Sequence, residues 1–305
     1  MDFQTESGKD GRNMQKLKKG YYTALGTPLD EKGNILAEEL IKHIEMQIEA
    51  KASGLLLMGS MGIEAAVKHS AYAEIVKIAV GAVNGRVPLF VGAMDNSIAR
   101  VLERIELIKD YPVDGIVLTT PFYASTNEKN LVQFFTKIAD QSPFPVYLYD
   151  LPTVTKQKIT FGMIEKMADH PNIAGIKTAD IPLCRLIQRS YPEFEVLCSN
   201  LDAFDMVLNC GIDKVLDGMF SCMPVNSEKF IQAAWDGDME ACGKYLDNIL
   251  KLRNTFIAHG VLYSFTQAMH LLGFAGDFHY DYDGVEDGGA AKAHVEAVMK
   301  EVGEL

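Results

Sequence analysis

The chain has 305 residues, 48% of them hydrophobic, and a formal net charge of −12 with no long run of Lys or Arg. That balance fits a globular enzyme and excludes nucleic acid and anionic membrane surfaces as main partners. No stretch reaches the roughly 18 unbroken apolar residues of a membrane span, and the N-terminal residues lack a signal peptide's apolar core.

Residues 1–19 are polar, charged and aperiodic, and are expected to form a flexible leader. From Tyr21 one pattern recurs: a short β-rich run, a loop of Gly, Pro or Asp, then an amphipathic helical stretch. The predicted strands are Tyr21–Gly26, Gly54–Met58, Pro88–Gly92, Gly115–Thr119, Val146–Tyr149, Ile173–Lys177, Phe194–Cys198 and Lys214–Gly218. Helical stretches follow them, among them Ala37–Ala52, Ala71–Val83, Ile98–Lys109 and Leu131–Gln141. Eight such units predict a closed (β/α)8 barrel. An open doubly wound sheet would carry a Gly-x-Gly-x-x-Gly turn, and Gly59-Ser60-Met61-Gly62 has the wrong spacing for one.

Past strand eight the chain reads as helical only, with Lys229–Gly237, Met239–His259, Leu262–Leu272 and Ala291–Val302 as successive helices. The expected organisation is therefore a leader (1–19), a barrel up to strand eight (20–224), and the eighth barrel helix with a helical appendage (225–305). The five cysteines (Cys184, Cys198, Cys210, Cys222, Cys242) are odd in number and form no Cys-x-x-Cys pair. They read as reduced packing thiols of a cytoplasmic protein.

In barrels of this type the loops after the strands form the active face, which directs attention to strand ends. Strand six, in Asn172-Ile173-Ala174-Gly175-Ile176-Lys177-Thr178-Ala179, ends on a lysine. Alternation places Ile173, Gly175 and Lys177 on one face, with Gly175 leaving space beside the amine. Burial disfavours a charged lysine and frees the amine as a nucleophile, whereas an exposed strand end would let it reach water. Tyr149, ending strand five, is either a proton-carrying phenol or a core tyrosine; Ser60, after strand two, either holds a carboxylate or caps a turn. A lysine, tyrosines and a serine on one rim suit amine–carbonyl chemistry, in which an iminium withdraws electrons from the neighbouring carbon.

Several motifs in order, from Tyr21 to about Gly218, resemble the dihydrodipicolinate synthase/N-acetylneuraminate lyase superfamily of Schiff-base lyases. They are Thr23-Ala24-Leu25-Gly26-Thr27-Pro28-Leu29-Asp30, Gly59-Ser60-Met61-Gly62, Thr120-Pro121-Phe122-Tyr123, Tyr149-Asp150-Leu151-Pro152 and Gly175-Ile176-Lys177. The resemblance implies a barrel, a homotetramer and pyruvate-type substrates. By position Lys177 resembles the imine-forming lysine, and Tyr149 the acid/base phenol beside it. Ser60 resembles the hydroxyl of a carboxylate-gripping loop, and Tyr123 a tyrosine lent across a subunit interface. Ser60, Met61 and Leu216 make up the expected substrate-binding set. The resemblance implies no metal and no organic cofactor, only a covalent imine on Lys177.

Departures from the family pattern narrow the activity. Met61 stands where the loop has a second threonine. Val154 stands where the synthase keeps an arginine for its aldehyde's carboxylate, and valine cannot replace a guanidinium fork. Ser199-Asn200-Leu201-Asp202 is the nearest counterpart of the lyase's sugar-contacting segment. Asp217 replaces a glycine, and is expected to pair with Lys214 or cap a turn rather than bind a polyhydroxylated substrate. The acidic loop Asp277–Gly284 is expected to be solvated, since its nearest calcium-loop register puts Ala290 where a bidentate Glu is needed.

The resulting expectation is a class I lyase acting on a 2-keto acid, with a 2-keto-3-deoxy sugar acid or sialic-acid-like substrate favoured. Dihydrodipicolinate synthase is the alternative enzyme. A barrel that binds keto acids without catalysis is the alternative of another kind.

Overall fold

A computed structural model describes residues 16–283 and 289–305. Eight strands, β1 (Gly20–Ala24), β2 (Gly54–Leu57), β3 (Leu89–Gly92), β4 (Gly115–Thr119), β5 (Val146–Asp150), β6 (Ile173–Thr178), β7 (Glu195–Cys198) and β8 (Lys214–Asp217), pair in parallel and in sequence order until β8 closes on β1. The (β/α)8 expectation holds, because each strand is followed by a segment able to cover its outer face.

Four of the covering helices are long: α1 (Ala37–Glu49), α2 (Tyr72–Val83), α3 (Ile98–Ile108) and α4 (Glu128–Ala139). Their starts are set by local chemistry. Ser97 caps α3 by accepting from the Arg100 N–H at 3.3 Å, and Asn127 caps α4 by accepting from the Asn130 N–H at 3.0 Å. The next crossovers are shorter. Between β5 and β6 lie only α5 (Pro152–Thr155) and α6 (Phe161–Ile164), and α7 (Ile181–Ser190) follows β6. Between β7 and β8 a single turn, α8 (Phe204–Val207), sits among 3-10 turns where a full helix was expected.

Side chains sort into two layers. One cluster lies between strands and helices; the other fills the barrel interior with Tyr22, Leu56, Phe90, Val117, Tyr147, Leu197 and Leu216. Residues 1–15 of the expected leader lie outside the described residues, but Leu17 does not behave as a leader. It is buried in the interior cluster, its N–H donates to Glu195 Oε1 at 2.9 Å, and it closes the barrel floor.

One register detail corrects simple alternation. The β5–β6 pairing slips between Val146 and Tyr147, so Val146 pairs with Ile173 and Tyr147 with Gly175. Ala174 joins the interior cluster while Ile173 packs in the outer one, so Ile173 does not share a face with Lys177. Gly175 leaves no open space either. A Cβ there would come within 2.4 Å of the Glu195 carbonyl oxygen, so glycine is what lets β6 and β7 approach.

After β8 come α9 (Pro224–Asp236), α10 (Met239–His259), α11 (Val261–Leu271) and α12 (Ala290–Glu301); the last three lie close to the expected helices, while α9 starts five residues before the expected Lys229. They are tied to the barrel rather than appended loosely. Phe265 and Phe278 crowd Gly26, where a Cβ would meet their rings at 2.5 and 2.7 Å. Near the last residue, Glu304 accepts from the Val225 and Asn226 N–H groups at 2.8 and 3.1 Å, supplying the cap that α9 lacks from its own sequence.

Candidate active site

The strand register builds one interior row at the barrel mouth. Thr119 on β4 pairs with Tyr149 on β5, Tyr149 with Lys177 on β6, and Lys177 with Leu197 on β7. Lys177 and Tyr149 are each 5% exposed, and the amine nitrogen sits 4.3 Å from the Tyr149 ring centroid, over its face. Among the described residues no carboxylate lies within ion-pair distance, 4.0 Å, of Lys177.

The residues directly after this pair hold it in register. Alternation turns Asp150 and Thr178 to the outer side, where the Thr178 hydroxyl donates to Asp150 Oδ2 at 2.8 Å and the Ile159 N–H to Oδ1 at 2.9 Å. Lys158 completes an ion-pair bridge between Asp150 and Asp180. Sequence reading placed Asp150 in a motif but gave it no role; its position directly after the predicted strand was the local signal, and its burial came only with the structure.

Ser60 lies on the loop after β2, exposed toward the mouth. The loop's shape comes from Ile63 in the left-handed region at φ 46° and from Gly62, whose carbonyl accepts the Thr27 hydroxyl at 2.7 Å. Glu64, at the end of that loop, is buried against Arg104, which also holds Asp95 at 3.1 Å and the Met94 carbonyl at 2.8 Å. The Met61 side chain packs over Gly218, where a Cβ would come within 2.6 Å of its terminal methyl. Leu216 is part of the interior cluster at 1% exposure.

Tyr123 does not join the Lys177–Tyr149 pair within the chain. It is 91% exposed, on a loop pinned by Asn96, whose Oδ1 accepts the Phe122 and Tyr123 N–H groups, both at 2.8 Å. The Asp217 expectation splits. Its Oδ1 caps a turn by accepting the Met219 N–H at 2.9 Å, but Lys214 pairs instead with Glu195 and Asp213, each at 3.1 Å. Burial pushes the Asp217 carboxyl above the usual carboxylate range, with the Lys177 charge and the Met219 N–H pulling against it. Both Asp202 oxygens are taken by the Arg253 fork at 2.6 and 2.7 Å.

Beside the row lies a cavity of about 110 Å³. Val154 is in its wall with Met94, Phe122 and Leu151, and Thr119 and Ser60 reach it from the strand ends. Tyr280 also reaches it from the C-terminal acidic loop. Residues 284–288 of that loop lie outside the described residues. Its His279 is engaged by the Thr266 hydroxyl at 2.9 Å. Among the described residues no three His, Cys, Asp or Glu side chains are grouped to hold a metal ion, and no helix is long and apolar enough to cross a membrane. Sequence reading placed Thr119 at the end of strand four without giving it a role and missed Tyr280, which nothing local marks.

The model of the dihydrodipicolinate synthetase family matches residues 17–279. Among curated relatives, the 4-hydroxy-tetrahydrodipicolinate synthase of Geobacter metallireducens is 27% identical over 286 residues, which cover 93% of this chain and 98% of the relative. That of Oleidesulfovibrio alaskensis is 30% identical over 224 residues, covering 72% and 76%. Among solved structures, YagE, a prophage protein of the dihydrodipicolinic acid synthase family from E. coli K12 in complex with pyruvate, superposes with TM-score 0.87 at 24% identity, covering 95% of this chain and 100% of that one. CdNal from Clostridium difficile in complex with mannosamine gives 0.86 at 17% identity, covering 93% and 99%. Those two likenesses are of fold. With the sequence match running from the Leu17 floor plug through the lysine row to the loop that carries Tyr280, the chain belongs to the dihydrodipicolinate synthetase family, a family of lyase and synthase enzymes.

Proposed function

We propose that Lys177 forms an imine with pyruvate or a related 2-keto acid and that the enzyme makes or breaks the bond at the next carbon. The observation that carries this reading is the Lys177 amine stacked at 4.3 Å on the Tyr149 ring inside the barrel mouth, with no ion-pair partner among the described residues. A keto-acid-binding barrel without catalysis would have no use for that amine. Enzymes of this family work through a lysine–pyruvate imine and need no external cofactor.

The amine adds to the keto carbon, and the carbinolamine oxygen leaves as water. The iminium draws electrons from the adjacent carbon, which gives up a proton and becomes an enamine. Tyr149, whose ring lies beside the nitrogen, passes protons to and from these atoms in this reading. The Ser60 hydroxyl and the N–H groups of its loop, Met61 included, receive the substrate carboxylate, with Leu216 as apolar packing in the interior. Tyr123, extended into solvent, fits a role completed by a second copy of the chain in a homotetramer.

Two finer readings differ in support. The curated relatives' names favour condensation with aspartate semialdehyde, but Val154 supplies no charge for that aldehyde's carboxylate. A keto-deoxy sugar acid escapes that objection. It gains little from the segment 199–202, where Arg253 occupies Asp202 and the Asn200 side-chain amide donates to the Ala179 carbonyl at 3.0 Å. Borohydride reduction with pyruvate, followed by peptide mass mapping, tests the shared chemistry. A reduced pyruvyl adduct on Lys177 is expected, and an unmodified Lys177 peptide would overturn the reading.

A further inference from the structure

The cavity next to Thr119 has a chemistry of its own. Ala65, Met94, Phe122, Leu151 and Val154 supply its apolar walls, and among the described residues its lining contains no Lys, Arg or His. Two of the polar residues around it are engaged within the chain. Glu64 is ion-paired to Arg104, and the Thr155 hydroxyl donates to the Leu151 and Gln157 carbonyls at 3.2 and 3.1 Å. The Thr119 hydroxyl is the contrast. It is buried, has no hydrogen-bond partner among the described residues, lines the cavity and is the register neighbour of Tyr149.

From this arrangement we propose that the second substrate is an aldehyde bearing an aliphatic or aromatic substituent, seated in this cavity with its carbonyl oxygen on the Thr119 hydroxyl. The proposal rests on the Lys177 imine chemistry above and names its acceptor. A carboxylated aldehyde would bury its charge here without a cation, and a polyhydroxylated one would exchange several water hydrogen bonds for very few. An apolar substituent loses nothing by entering. The size agrees too: a dry apolar cavity of ~150 Å³ takes a whole benzene ring. A space of about 110 Å³, open at the mouth, takes a short alkyl chain or most of one ring.

The step balances without any further reactant. The enamine carbon of the Lys177–pyruvate adduct attacks the aldehyde carbon, and the carbonyl π pair moves onto oxygen, which takes one proton. Water then hydrolyses the iminium, freeing Lys177 and a 4-hydroxy-2-oxo acid whose C4 carries the apolar group. The reverse sequence cleaves that acid to pyruvate and the aldehyde.

The test uses the full chain, with pyruvate and a panel of butanal, benzaldehyde, succinic semialdehyde and glyceraldehyde, products being identified by mass spectrometry. Butanal and benzaldehyde are expected to exceed the other two in kcat/KM by tenfold or more, and each methylene that enters the cavity should add roughly fourfold. Val154→Arg should reverse the order of butanal and succinic semialdehyde. Thr119→Val should lower kcat/KM for every aldehyde at least tenfold, and Thr119→Ser should restore most of it. Borohydride trapping with pyruvate alone separates the two levels. An adduct on Lys177 together with preference for the charged or hydroxylated aldehyde, or with no aldehyde accepted, would overturn the acceptor proposal and leave the imine standing. Absence of the adduct would remove both.

Discussion

Among the described residues, two lysines on the inner face of the barrel strands, Lys177 and Lys214, sit in opposite surroundings. Lys214, toward the floor on β8, lies 3.1 Å from both Glu195 and Asp213, and Glu195 also receives the Leu17 N–H that closes the floor. Burial pulls its ammonium down, but those carboxylates more than reverse this and leave it above the usual lysine value. Lys177, at the mouth on β6, has an aromatic face at 4.3 Å and, among the described residues, no carboxylate within 4.0 Å. A buried lysine held by carboxylates is locked in its charged form and is structural. One packed on a phenol, with no carboxylate within ion-pair distance among the described residues, is the amine that the proposed function assigns to the imine.

Exchanging the two roles by mutation is the most direct way to break this contrast. Lys177→Ala should abolish both borohydride trapping and turnover while leaving the circular dichroism spectrum unchanged; residual trapping would show that another amine does the work. Tyr149→Phe should keep trapping but lower turnover by ~100-fold or more, the loss expected of a proton-transferring group. An unchanged rate would remove the phenol from the mechanism. Lys214→Met should do the reverse of Lys177→Ala. Imine formation persists, but Glu195 is left buried without its cation, costing about 2 to 3 kcal/mol in a urea titration. Loss of trapping with no loss of stability would refute the division of labour.

His43 sharpens the comparison from the uncharged side. It is fully buried at the α1–C-terminal helix junction, with the Phe274 and Phe278 rings at 5.5 and 6.3 Å. Desolvation lowers its pKa from 6.5 to about 4, with the backbone of Ser221 and Gly26 acting against it. Below pH 6.5 the unfolded chain therefore binds a proton that the folded chain refuses, and stability falls as pH drops toward 4. Between pH 7.5 and 5 the loss should be about 2 kcal/mol by chemical denaturation, and His43→Leu should flatten that part of the profile. A profile unchanged by the substitution would assign the acid sensitivity to other groups.

Legibility of the site followed the range of the forces involved. Lys177, Tyr149 and Ser60 were readable as candidates because each lies at or just past the end of a strand, and in a parallel barrel all strand ends share one rim. Tyr123 was readable as a residue, but its exposure shows that a single chain does not bring it to the amine. Thr119 was passed over because threonine suits any strand, and only an unpartnered hydroxyl in the folded interior singles it out. Asp217 divided in the same way: its turn-capping role is local and was foreseen, while its expected partner Lys214 was claimed by Glu195 from the neighbouring strand.

By itself the sequence determined the eight-fold alternation, the starts of α1 and α3 and the strand that carries Lys177. Those features depend on periodicity and capping within a few residues. Only the tertiary structure decided that Ala174 bulges inward, that Gly175 exists for the approach of β6 to β7, that Leu17 seals the floor and that Tyr280 reaches the mouth. Each of these is a contact between segments far apart in the chain, and local preference carries no information about which distant side chain arrives to fill a given space.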